Sequence, residues 1–396
     1  MKLQTLILSA SLSFLTPVCS AGQPSPDFQT IISSVIANNP DLASQAESAR
    51  AAGLSLGAEN NLQDPEVEFD RAWGTTADTG NKWGLSVSQS FEWPGVYAAR
   101  NKAARAGRSA LQREHEAKVL DKELETRLLL LDIVNANKQV DALTRISANM
   151  DSLIALTDRM YASGNATILD VRKLQFERFN LSVQLDDALN EVSRLSADLA
   201  ALNGGEAIDT EGLRQYPGQI FLSEREYLEA ADPTLLAMTE AAEASRLTAR
   251  AEGMKRFPGF SVGYVHETEG DENFNGFSVG LTLPVFSTRN NKKAAEAEAL
   301  ARSYELDGLR LARRSAIISD VRSAAKMKRQ IDAYHEIFEK DDYLALLERA
   351  YRGGQMSQHV YLGEVNDYLR LCMDHLAMLL NYHRTLATLN RTAGLR

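Results

Sequence analysis

Three stretches of the chain set a serine between glycines in the pattern Gly-x-Ser-x-Gly: Gly53–Gly57, Gly259–Gly263 and Gly276–Gly280. In hydrolases this pattern holds a nucleophilic serine on a sharp strand-to-helix elbow. The first copy lies inside a helical pattern. The other two, around Ser261 and Ser278, lie inside strand patterns where Gly and Ser fill a small-residue face, so no elbow is expected. A second candidate is the pair Cys372 and His375, three residues apart on one predicted helix, with Met373, Met378 and His383 nearby. A thiolate and an imidazole at that spacing suit a soft metal such as copper. The alternative is a packing cysteine beside partly exposed histidines. The remaining histidines, His115, His266, His335 and His359, do not fall at ligand spacing. Cys-x-x-Cys, His-Glu-x-x-His, P-loop and dinucleotide fingerprints are all missing, so neither an enzyme nor a resident cofactor is expected.

The elements that carry these residues follow from composition and pattern. The chain has 396 residues, 44% hydrophobic and 24% charged, enough for two units of ordinary size. A formal charge of −10 with scattered bases makes a poor nucleic-acid binder. Few prolines and abundant Ala, Leu, Glu and Arg favour long helices. Residues 1–21 read as an export signal: a basic Lys2, an apolar run from Leu3 to Leu15, and small residues before a cut after Ala21. Cys19 is a possible lipidation site, although Val18 before it departs from the small residue such a site prefers. Cleavage after Ala21 leaves Cys372 without a disulfide partner. Beyond the signal no apolar run reaches 18 residues, so a membrane-spanning helix is not expected; insertion through β-strands remains open.

The chain repeats itself. Asn39-Pro40-Asp41-Leu42 matches Asp232-Pro233-Thr234-Leu235, and Pro65 matches Pro258, at an offset of 193. From Pro94 and Pro284 onward the offset is 190, and it pairs Asn101-Lys102 with Asn291-Lys292, Tyr161 with Tyr351, and Gly164 with Gly354. The boundaries read 22–203 for a first repeat, 204–221 for a linker and 222–396 for a second repeat. Each repeat predicts a helix, a hairpin, a long helix, a turn and a final helix. Helices are expected at 28–60 and 222–255, long helices at 94–160 and 286–350, and short ones at 166–203 and 357–392. Leu143, Ile146, Met150, Leu153 and Met160 keep a coiled-coil seam. A helix of about 65 residues spans roughly 100 Å, the length of a rod or tunnel wall.

The hairpin strands, at about 65–73 and 83–92 and about 258–266 and 275–284, alternate large apolar residues with small or polar ones. Val67, Phe69 and Trp73 stand against Glu68 and Asp70; Phe277, Val279, Leu281 and Leu283 stand against Ser278, Gly280 and Thr282. Arg71 falls on the apolar face near a strand end, where its stem can snorkel. Such alternation suits a strand between lipid and water, or a soluble sheet packed on helices. Trp73, Trp83 and Trp93 lie at strand ends, where an aromatic girdle would sit. Ten residues from Trp83 to Trp93 give about 33 Å of strand, or roughly 25 Å of height when tilted. The tips, 74–82 and 267–275, read as polar loops. Four strands cannot close a barrel, so copies must assemble, and three copies supply twelve strands.

The duplicated Asn-Pro and Asp-Pro helix starts, the duplicated hairpins, Ser88-Gln89-Ser90-Phe91-Glu92-Trp93-Pro94-Gly95 leading into Arg100, and the two Tyr-x-x-Gly turns together resemble the TolC-type outer membrane factor family. These are exit ducts of tripartite efflux and type I secretion systems, and the resemblance covers essentially the whole mature chain. Gln-x-Phe-x-x-Pro-Gly is most similar to the heavy-metal, CzcC-like branch. The resemblance implies a mainly α fold with a membrane β-barrel: a homotrimer with a twelve-stranded barrel in outer membrane lipid of a Gram-negative bacterium and an α-helical tunnel in the periplasm. It implies a periplasmic adaptor (membrane fusion) protein that meets the tips around Tyr161, Gly164, Tyr351 and Gly354, and an inner-membrane pump of the RND type. It also implies an acidic gate after each turn. Asp170 falls at a matching position, but the second turn has Val360 and Gly363 at the family's acidic positions, with Glu364 and Asp367 beyond them. Threefold repetition makes each carboxylate a ring that draws cations and resists closure, unless groups such as Arg172 and Lys173 compensate. The expected cargo is metal cations, with drugs or a secreted substrate as the alternative. A periplasmic coiled-coil scaffold or adaptor is the rival from another class.

Overall fold

A computed structural model describes residues 27–75, 80–286, 290–338 and 342–395. The export signal and Cys19 lie outside the described residues. The first repeat comprises α1 (Phe28–Asn38), α2 (Pro40–Ala58), β1 (Glu66–Ala72), β2 (Lys82–Phe91), α3 (Pro94–Ala162) and α4 (Ile168–Leu202). The second comprises α5 (Glu224–Glu229), α6 (Pro233–Met254), β3 (Gly259–Glu269), β4 (Glu272–Thr282), α7 (Asn291–Phe338), α8 (Tyr343–Arg352) and α9 (Gln358–Thr392).

The opening helix of each repeat is broken, where one helix was expected over 28–60 and another over 222–255. The break falls at the duplicated proline, which starts a new helix at its first position and cannot continue the old one. Asn39 caps α2 by accepting from the Leu42 N–H at 3.0 Å, and Asp232 caps α6 by accepting from the Thr234 N–H at 2.8 Å. α3 runs unbroken for 69 residues, about 100 Å of helix. Its counterpart, expected to run over 286–350, starts at Asn291, ends at Phe338 and gives way to α8, which Asp342 caps through the Ala345 N–H.

Both long segments end alike. Gly164 and Gly354 take φ of +78° and +68°, and the N–H groups of Asn165 and Gln355 reach back to Met160 O at 2.8 Å and Ala350 O at 2.9 Å. That is a Schellman stop, and its left-handed residue is why glycine stands there. The same stop recurs at Gly204 and Gly394, where Gly205 N–H reaches Ala200 O and Leu395 N–H reaches Asn390 O, each at 2.8 Å. These two glycines are again 190 residues apart.

Three apolar cores run along the helices. One joins α1 to the middle of α3, the end of α4 and the 204–221 segment, through Ile32, Leu130, Ile133 and Leu199. A second, nearer the turns, joins α3, α4, α8 and α9 through Met150, Leu174, Leu347 and Tyr361. A third joins α5, α7 and α9 through Tyr227, Ala324 and Leu386.

The four strands form one antiparallel sheet in the order β1-β2-β3-β4. The second hairpin is longer than its sequence pattern suggests. Its strands pair from Gly259↔Thr282 to Glu269↔Glu272, so most of the expected polar loop at 267–275 is strand. Gly270, at φ +61°, opens a two-residue turn that permits this, as a II′ hairpin turn requires.

Candidate functional site: the exposed sheet and the helical tip

Register decides what each face of the sheet carries. Phe69↔Leu85, Leu85↔His266, Val87↔Tyr264, Tyr264↔Phe277, Val262↔Val279 and Phe260↔Leu281 are direct partners, so one face is apolar across all four strands. Among the described residues no helix covers that face: Phe277 is 91% and Val279 81% exposed, and Val67, Phe69 and Leu281 are also exposed. A contiguous apolar patch of this width is costly in water and marks a surface that meets another protein or a membrane. β1 and β4 are the free edges of the sheet, and unpaired edges call for further strands.

The opposite face is small and polar. Ser88 faces Gly263, Gly263 faces Ser278, and Ser261 faces Gly280. A Cβ on Gly263 would stand 2.6 Å from Ser278 Oγ. The two strand copies of Gly-x-Ser-x-Gly therefore arise from cross-strand Gly–Ser pairs, with Ser261 and Ser278 in mid-strand and no elbow, and the first copy, Gly53–Gly57, lies inside α2. Glu68, Asp70 and a Lys82–Glu267 pair at 2.9 Å share this face.

The tryptophans divide between the two ends of the sheet. Trp83 packs against Phe69 and His266 with ring centroids 6.3 and 5.2 Å apart, at the end away from the helices. Trp73 follows β1 at the same end, with Arg71 over its ring at 5.8 Å. Trp93 lies at the helical end and stacks on Phe257 at 6.0 Å. The Gln89–Gly95 motif forms the joint between sheet and helices. Gln89 Nε2 donates to Gln63 O at 2.6 Å, and Arg100 Nη2 donates to Glu92 Oε1 at 2.8 Å. Strand β2, helix α3 and the approach to β1 are thereby locked together.

At the other end of the molecule the two turns sit side by side. Gln358 Nε2 donates to Asp170 O at 2.7 Å, and Lys173 Nζ lies 3.2 Å from His359 Nδ1. The Asp170 carboxylate accepts from the Thr167 N–H at 2.9 Å and from the Thr167 hydroxyl at 2.7 Å, while the Asp170 N–H donates back to Thr167 Oγ1 at 3.2 Å. This is a capping box, and its hydrogen bonds hold the carboxyl below the usual carboxylate range. Arg172 donates from Nη1 to Gln175 Oε1 at 3.0 Å and has no carboxylate partner among the described residues. Glu364 accepts from Tyr343 OH at 2.9 Å, and Asp367 from Arg370 at 2.8 Å. Tyr161 is exposed; Tyr351 packs against Tyr361, ring centroids 5.1 Å apart. Tyr361, which no local sequence signal marks, is fully buried and donates to Asn149 Oδ1 on α3.

Cys372 and His375 do not converge on a metal geometry. Tyr334 OH lies 3.9 Å from Cys372 Sγ, and the Tyr334 ring stacks on His375 with centroids 3.6 Å apart. No group of three metal-ligating side chains occurs among the described residues. His375 and His383 are held neutral instead. Burial, with help from His335 and Lys138, lowers His375 to about 4, and burial with Lys138 and Lys328 does the same for His383.

Compared with solved structures, the chain is similar to the outer-membrane channel OprN (TM-score 0.78, 14% identity, covering 97% of this chain and 98% of that one). It is similar to the CmeC outer membrane channel of Campylobacter jejuni (0.71, 14%, 98% and 94%) and to CusC, a protein that undergoes transmembrane channel formation (0.72, 15%, 94% and 93%). The chain has the fold of the outer membrane channels. In that channel fold the exposed sheet and the paired turns are opposite ends of one molecule spanned by α3. No family model matches the sequence, and no curated protein matches it. Among the described residues no helix is long and apolar enough to cross a membrane.

Proposed function

We propose that the protein is the outer membrane duct of a tripartite efflux system. Three copies join β1 to β4 and close a twelve-stranded barrel. Lipid covers the apolar face, and the Gly, Ser and acidic face lines water. The observation that carries this reading is the apolar face spread over all four strands of an open sheet with two free edges. The helices below form a periplasmic tunnel. Its tips, Tyr161–Asp170 and Tyr351–Glu364, meet a periplasmic adaptor, and an RND-type inner-membrane pump supplies the energy. The protein itself performs no chemistry. Asp170, Glu364 and Asp367 line the constriction, and threefold repetition makes each a cation-attracting ring.

The cargo we favour is metal cations, on the resemblance carried by Gln89–Gly95. Growth of a deletion strain on zinc, cobalt, cadmium and copper salts, beside dyes, detergents and bile acids, tests this. Sensitivity confined to the metals is expected; sensitivity confined to the amphiphiles would assign the duct to drug efflux. Release of the protein from membranes without detergent would overturn the duct altogether and favour a periplasmic scaffold.

A further inference from the structure

Between α6 and α7, directly below the sheet, lies an open groove of about 800 Å³. Its floor is apolar, with Met254 and Leu300 among the lining residues, and Leu300 is exposed. Its rim is basic: Arg246, Arg250, Arg256 and Lys292. Two of these cations are matched inside the groove, Arg246 by Glu243 at 2.7 Å and Lys292 by Glu296 at 3.3 Å. Arg250 and Arg256 have no carboxylate partner among the described residues, and both are exposed. The Arg256 guanidinium lies over the Phe257 ring at 5.6 Å, and that ring stacks on Trp93. Trp93 continues the alternation of the apolar face of β2 past Phe91. The groove thus begins where the apolar face of the sheet ends.

We propose that this groove binds a phospholipid with an anionic headgroup. The proposal rests on the duct reading, because that reading puts the apolar face in lipid and the groove at the level of the headgroups. Two unmatched guanidiniums offer forked donors to a phosphate. The apolar floor takes the first part of an acyl chain, and the Arg256–Phe257–Trp93 stack holds one guanidinium at the interface. A zwitterionic lipid carries the same phosphate together with a choline cation that the two guanidiniums repel, so the net charge of the headgroup sets the preference.

Each basic side chain near an anionic headgroup is worth about fivefold in affinity, so the pair should favour anionic over neutral lipid about 25-fold. The full chain, reconstituted in mixed phosphatidylglycerol and phosphatidylcholine, is released into a mass spectrometer and the lipids retained per protomer are counted. Retention enriched in phosphatidylglycerol is expected, with the enrichment lost in an Arg250→Gln, Arg256→Gln double variant. Equal retention of the two lipids, or unchanged enrichment in the double variant, would overturn the proposal. So would lipid-free trimers, which would mean that a neighbouring copy covers the groove. Conductance of the same wild-type preparation in planar bilayers separates the two readings: conduction without lipid preference removes the lipid site alone, while failure to conduct in either lipid removes the duct.

Discussion

The two repeats share one plan and differ in how they hold it together. The first is built from neutral caps and one continuous spine. Asn39 caps α2 and donates its amide to Leu202 O at 2.8 Å, and α3 runs 69 residues to its turn. The second replaces these with charges and a break. Asp232 caps α6 but is also paired with Arg313 at 3.4 Å and Arg391 at 3.5 Å, and the long segment is divided between α7 and α8. The tips diverge in the opposite sense. Thr167 and Asp170 close a capping box; Ser357, 190 residues on, has Val360 where the acid would be, and only a 3.4 Å bond from its N–H. At its opening helix the second repeat therefore depends on an ion-paired cap where the first depends on a neutral one, while at the tips the capping acid belongs to the first. Changes in charge or pH should act on the second repeat first.

The sharpest break of this comparison is at Arg391. Its side chain is buried in the last turn of α9, where the helix dipole favours a cation. It donates to Thr234 Oγ1 at 2.8 Å and Ala117 O at 3.2 Å and pairs with Asp121 at 2.6 Å. The first repeat has Ala201 at this position. Arg391→Ala strands the buried Asp232 with Arg313 alone and should cost about 3–5 kcal/mol in chemical unfolding of the solubilised protein. Asn39→Ala, at the neutral counterpart of Asp232, should cost about 1–2 kcal/mol. Equal costs would erase the distinction between the repeats.

Next in size is acid. His375 and His383 correspond to Leu185 and Ser193 in the first repeat. Their native pKa values near 4 lie below the ordinary 6.5, so the folded state prefers the neutral rings. A group depressed in this direction withdraws stability as pH falls through the unfolded value, and the loss is complete below the folded one. His375 is buried and His383 half-buried, and the loss is about 3 kcal/mol per histidine by pH 4. His375→Leu, which installs the first repeat's residue, should remove its share of the slope between pH 6.5 and 4 in a melting series. A wild-type slope retained by this variant would assign acid sensitivity to groups other than His375.

Legibility followed the range of the interaction. The caps, the Schellman glycines and strand alternation are local, and Asn39-Pro40, Asp232-Pro233, Gly164, Gly354 and the Val67–Trp73 pattern could be read one residue at a time. The sheet could be read because its face repeats every second residue. What escaped was set by distant partners. Nothing beside Tyr361 announces Asn149, more than two hundred positions away, and Arg391 reads as an ordinary exposed base in a terminal helix. The break in the second long helix escaped because periodicity continues on both sides of it and the stretch holds neither proline nor glycine. Asp170 shows the limit in the other direction. An acid three residues after a threonine is a helix-start signal as well as a gate signal, and the capping box uses its carboxylate.

The smallest expected difference lies at that box. Thr167→Ala removes the side-chain acceptor for the Asp170 N–H and one of two donors to its carboxylate, and should cost about 1 kcal/mol. Ser357→Ala removes a single long bond and should cost less. The Thr167 effect carries its own pH signature. Hydrogen bonds lower the Asp170 pKa, so the stabilisation is present above the unfolded carboxylate value near 4 and is lost as pH falls through the depressed one. The histidine effect begins near pH 6.5, so the two windows separate. Thr167→Ala should therefore melt earlier than wild type at pH 7 and narrow that gap only in strong acid, while Ser357→Ala should run parallel to wild type throughout. Parallel curves for both variants would mean that the Asp170 carboxylate does not serve the helix start.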